Sequence, residues 1–87
     1  MSKKLKVKTK EGDLAPLSLA KKVLSKAGFT GEQLALATKG VAKEAAKLAR
    51  AGALSTADLE KAIVRAVANA NNLMMNKAKK IAKKVLK

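Results

Sequence analysis

The sequence predicts an all-α protein of three helices, at about residues 14–27, 31–51 and 55–87, behind a basic extended N-terminal arm. Three observations predict it. Apolar residues recur at steps of three and four along most of the chain, the period of an amphipathic helix. Gly28 and Gly52 are each followed within a few residues by the signature of a helix start, so they read as the stops between helices. Lysines at the same spacing, Lys39, Lys43 and Lys47 for example, form ladders on single helix faces.

Met1–Asp13 alternates Lys4, Leu5, Lys6, Val7, Lys8, Thr9 and Lys10, which is the period of a strand with its lysines on one side. No later segment resembles a partner strand, and a lone strand is not stable in water, so residues 1–13 are expected to be a basic extended arm unless they pair with another subunit. The single domain is then 14–87. Asp13 is placed to cap the first helix, with Pro16 in the first turn. Leu17, Ala20, Val23, Leu24 and Ala27 make its apolar stripe, and Ser18, Lys22, Ser25 and Lys26 face away.

The second helix opens on Thr30 and Gln33, spaced as a capping box, with Phe29 and Leu34 spaced as a hydrophobic staple. Leu34, Val41 and Leu48 recur every seven residues beside Ala37 and Ala45, giving a narrow seam for another helix. Gly40 is a weak point within it. Gly52 is expected to close this helix, and the same device follows: Leu54, Ser55, Asp58 and Leu59 form a second cap and staple. Leu59, Ile63, Ala66, Val67, Ala70 and Met74 line one face of the third helix, and Ile81 and Val85 continue it. At ~1.5 Å per residue the helix would be about 50 Å long. Part of it should therefore project beyond a small core as a basic extension, 77–87, with Asn69, Asn71, Asn72 and Asn76 as the joint.

Composition bounds the function. The chain has 87 residues, a net charge of +14, one aromatic and no cysteine or histidine. An alanine-rich core buries little hydrocarbon per position, and so strong a self-repulsion favours a neutralising partner or a helical multimer. There is no disulfide framework, and no catalytic residue, metal ligand set or cofactor motif is assigned. The acids are scattered, Ser18 and Lys22 read as a solvated helix face, and Thr38-Lys39-Gly40 lacks the spacing of a phosphate loop. No apolar run is long enough to span a membrane and no secretory signal is recognisable. The expected location is the nucleoid or a virion interior.

Lysine supplies nearly all of the charge, and lysine contacts phosphate as a point charge without reading bases. The candidate nucleic-acid contacts are Lys3, Lys4, Lys6, Lys8 and Lys10 of the arm, Lys39, Lys43, Lys47 and Arg50 of the second helix, and Lys77, Lys79, Lys80, Lys83, Lys84 and Lys87 of the tail. Candidate packing positions are Leu34, Val41, Leu48, Leu59, Ile63, Ala66 and Ala70. The expected partner is nucleic acid, DNA ahead of RNA, bound without sequence preference by a homo-oligomer. The alternative is an anionic membrane surface, since KAKKIAKKVLK has the pattern of an interfacial helix.

The Lys/Ala-rich tracts at Lys39–Arg50 and Lys77–Lys87 resemble those of small chromatin-type and viral nucleocapsid proteins. The resemblance implies a coat that packages nucleic acid. It assigns no residue a role.

Overall fold

The computed structural model describes residues 6–9, 12–50 and 52–86. Its elements are β1 (Lys6–Thr9), β2 (Gly12–Leu14), α1 (Pro16–Ala27), α2 (Gly31–Leu48), β3 (Ala53–Leu54), α3 (Thr56–Ala70) and α4 (Met75–Val85), with a 3-10 turn at Asn72–Met74 before α4. The protein is mostly helical, as expected, with a small sheet added.

The segment read as a free arm is structured where it is described. β1 lies at the centre of a three-stranded sheet, antiparallel to β2 and parallel to β3. Lys6 N–H donates to the Gly52 carbonyl at 2.9 Å, and Val7 is fully buried while Lys6 is exposed. The alternation of lysine with apolar residues was therefore a true strand signal. Its partners escape notice because three-residue β2 and two-residue β3 are too short to show a period of their own. Lys3, Lys4, Lys10 and Lys87 lie outside the described residues.

The helix boundaries show which local signals hold. α1 is capped by Ala15, without a side-chain bond, and Pro16 follows at its first position. Asp13 instead belongs to β2, paired with Lys8. At the other end Gly28, at φ 105°, donates to the Ser25 carbonyl and Phe29 N–H donates to that of Leu24, the two bonds of a Schellman motif. Phe29 is buried beside them.

Thr30 does precede α2, but its side chain makes no cap bond. Gly31 enters the first turn at φ 56°, a left-handed conformation that breaks the regular presentation of amides a capping box needs. Ser55, by contrast, accepts from Asp58 N–H at 3.1 Å, with Leu54 and Leu59 buried as the staple. Ser55→Ala is therefore expected to destabilise the fold by about 1 kcal/mol and Thr30→Ala by less than about 0.5 kcal/mol. Chemical denaturation of the two variants checks this, and equal losses would contradict it.

α2 ends at Leu48, short of the expected residue 51, because Ala49 turns extended. Gly52 does not close it. Reciprocal bonds of 2.9 Å join Arg50 and Ala53 across a turn in which Gly52, at φ 77°, takes the left-handed position. The repeated order of residues around Gly28 and Gly52 thus builds two different turns.

The larger difference lies after Ala70. The expected continuous helix would exceed the molecule, whose longest dimension is 32 Å. Asn71 leaves the helix at φ −160°, and its side-chain oxygen accepts from Leu73 N–H at 3.2 Å, starting the 3-10 turn. α4 then folds back onto α3 and α1 instead of projecting. The asparagine joint is where it was expected, while the extension is not an extension: Ala78, Ala82 and Leu86 are buried.

α1 packs against α2 and α4, and α3 against α2 and α4, so the four helices form a ring around Val23, Leu24, Val41, Leu59, Ile63 and Val67. β2 leads straight into α1 and β3 into α3, so the sheet closes the bundle end where those helices begin. The Asn71 corner closes the other.

Gly40 has a role the sequence did not suggest. A Cβ built there would lie 3.1 Å from the Ala66 Cβ and 3.6 Å from its Cα, so α2 and α3 approach closely at this point. Gly40→Leu should destabilise by about 1–3 kcal/mol by forcing the helices apart. A melting temperature equal to wild type would refute that close contact.

Candidate nucleic-acid interface

Of the expected packing positions, Val41, Leu59, Ile63 and Ala66 are buried and Leu34 and Leu48 pack partly against the core. Ala70 is exposed, because α3 ends there and the chain turns away.

The helix-two ladder is shorter and less basic than its spacing suggested. Lys39, Lys43 and Lys47 are exposed on α2, but Arg50 lies beyond the helix, in the turn with Ala53. Glu44, only 16% exposed, stands 3.8 Å from the Lys47 ammonium and 3.7 Å from the Arg65 guanidinium. α2 also carries Glu32, and α3 sets Asp58 and Glu60 against Lys61 and Arg65. The α2–α3 side is thus close to charge balance.

The α1–α4 side is not. α4 presents Lys77, Lys79, Lys80, Lys83 and Lys84, all exposed, and α1 presents Lys21, Lys22 and Lys26, also exposed. Neither helix contains an acid. On α4 the inner positions are Ala78 and Ala82, with Ile81 and Val85 half-buried. Helical spacing divides the lysines between the two flanks that remain. Lys79 and Lys83 border a groove shared with Ala57 and Glu60 of α3. Lys77, Lys80 and Lys84 are exposed and do not line that groove. On α1, Lys21, Lys22 and Lys26 line a shallow outer surface with Ser18 and Ser25.

Because α1 and α4 are neighbours in the ring, these eight lysines lie on two adjacent helices, with Lys79 and Lys83 at the edge toward α3 beside Glu60. At ~1.5 Å per residue each helix is about 16–18 Å long, so its length matches about five base pairs of duplex at ~3.4 Å each. Lys21, Lys22 and Lys26 were not among the candidates read from the sequence. A signal for them exists: residues 14–31 and 61–87 contain no acid at all, and these are the stretches that supply α1 and α4.

Lys6 is exposed at the sheet end, away from the Asn71 corner, and Lys8 takes part in β1 through its backbone. Among the described residues no group of three or more acidic, cysteine or histidine side chains gathers as a metal would require, and no helix is long and apolar enough to cross a membrane. No protein family, curated protein or solved structure matches this chain.

Proposed function

We propose that this protein binds the phosphate backbone of nucleic acid, duplex DNA ahead of RNA, without reading its sequence, and packages it. The observation that carries the reading is the segregation of charge: eight exposed lysines and no acid on α1 and α4, against near balance on α2 and α3. Like charges this close disfavour the isolated fold, and a polyanion laid along them reverses the sign by releasing its own counterions. The face has no aromatic to stack on bases and no arginine to fork onto guanine, so its contacts position the duplex without selecting a site.

Packaging brings many copies side by side on one duplex, and in that sense the proposal includes a homo-oligomer. Its setting would be a nucleoid or a virion interior. The membrane-surface alternative asks more of the fold. To embed α4 in a bilayer, Ala78, Ala82 and Leu86 would have to leave the bundle core.

Anisotropy titrations with two duplexes of equal length and unrelated sequence test the reading. Dissociation constants within about threefold of each other are expected, by the absence of base contacts. A preference of about a thousandfold or more, where the range of specific binders begins, would overturn it. So would binding to anionic vesicles at concentrations where neither duplex is bound.

A further inference from the structure

Leu73 is 92% exposed, the most exposed large apolar side chain among the described residues. It is not on a loose loop. The Asn71 side chain holds its amide at 3.2 Å, Met74 N–H bonds the Asn71 carbonyl at 3.0 Å, and α4 begins two residues later. The corner is also braced against α1, since the Met74 methyl lies 3.7 Å from where a Cβ on Gly28 would sit. This puts Leu73 at the bundle end where α1 finishes and α4 starts, two residues before α4 and four before Lys77. Its immediate polar neighbours are uncharged amides, Asn72 and Asn76, both exposed.

A fixed, protruding leucine flanked by amides and followed by the acid-free α4 matches what a duplex needs for wedging. An apolar side chain enters between two base pairs from the minor groove while amides meet the groove edge and lysines hold the phosphates on either side. We propose that Leu73 is such a wedge, so that this protein kinks or unwinds the duplex it coats. The proposal rests on the phosphate-binding reading and adds a mode to it. The alternative occupant of Leu73, a second copy of this chain paired two-fold through the same corner, has no charge complementarity in its favour, because the acid-free α4 of each copy, beginning with Lys77, would face that of the other.

The test compares the wild-type chain with Leu73→Ala and Leu73→Phe on a duplex shorter than the persistence length of about 150 base pairs, measuring ring closure, end-to-end energy transfer and affinity together. Since Leu73 buries almost nothing, both variants should fold as wild type does. Wild type and Leu73→Phe are expected to raise ring closure by about tenfold or more and to report a kink of about 20–90° per site. Leu73→Ala should lose that gain while its affinity stays within about threefold of wild type and its salt dependence is unchanged. Equal ring closure by Leu73→Ala and wild type, with binding intact, would overturn the wedge and leave the phosphate-binding reading standing. Loss of a self-associated form on Leu73→Ala without DNA, with bending unaltered, would assign Leu73 to a second copy and also overturn it. Absence of duplex binding by wild type would overturn both.

Discussion

Replacing Lys77, Lys79, Lys80, Lys83 and Lys84 by glutamine is expected to abolish more than half of the salt dependence of duplex binding. Each phosphate contact contributes about 0.9 to the slope of log affinity against log salt, so five lost contacts lower its magnitude by about four to five. Affinity at low salt should fall by several orders of magnitude. The same change at Lys39, Lys43 and Lys47 should lower the slope by one unit or less, roughly a single contact, since α2 lies on the balanced side of the bundle and Glu44 already stands beside Lys47. Equal effects of the two sets would contradict the assignment of the interface to α1 and α4. The five-glutamine variant should melt no lower than wild type, because it relieves like-charge pairs at helical spacing, each worth about 0.2–0.5 kcal/mol. That separates lost binding from lost structure.

The second large effect concerns stability. A chain that stops at Asn76 would keep every residue of α1, α2 and α3 yet remove Ala78, Ala82 and Leu86 from the core, uncovering the sides of α1 and α3 that α4 packs against. Burial of a leucine alone contributes about 1.5–3 kcal/mol, and small domains have only about 5–15 kcal/mol in total. The truncated chain is expected to lose its cooperative thermal transition by circular dichroism. A sharp transition within about 5 °C of the full chain, roughly what 1 kcal/mol produces in a domain of this size, would mean that α4 is the dispensable basic tail its sequence suggests.

That contrast shows what the residues disclose and what they hide. Ser55, Asp58, Leu54 and Leu59 announce a helix start that the structure builds, with Ser55 accepting from Asp58 N–H and both leucines buried, and Gly28 announces a helix end. These are local signals, complete within a few residues. Thr30 carries the same signature but fails, because Gly31 alters the backbone on which the cap depends. Asn71–Asn76 mark a joint, yet whether a chain bends slightly or reverses there is decided by what its apolar stripe finds to pack on. Ala78 and Ala82 are too small to announce themselves as core, although their size is what lets α4 lie close to its neighbours. The strand partners of β1 were invisible for a related reason, being too short to carry a pattern.

The candidate interface was legible in kind but not in place. Lysine excess and the absence of chemistry-bearing groups directed the reading to phosphates. The ladder on α2 is regular in sequence, whereas the lysines of the acid-free helices come from segments about fifty residues apart, and adjacency of α1 and α4 in space is what brings Lys21, Lys22 and Lys26 alongside Lys77–Lys84. Contacts of such separation are set by the ring order of the helices, which no single helix records.

The most direct test of the central claim is the salt dependence of duplex binding by the wild-type chain, measured by anisotropy from low to physiological ionic strength. With eight lysines of α1 and α4 on phosphates, log affinity should fall against log salt with a slope near −7, taking about 0.9 per contact. A slope near zero would contradict the claim that this face exists to meet a polyanion.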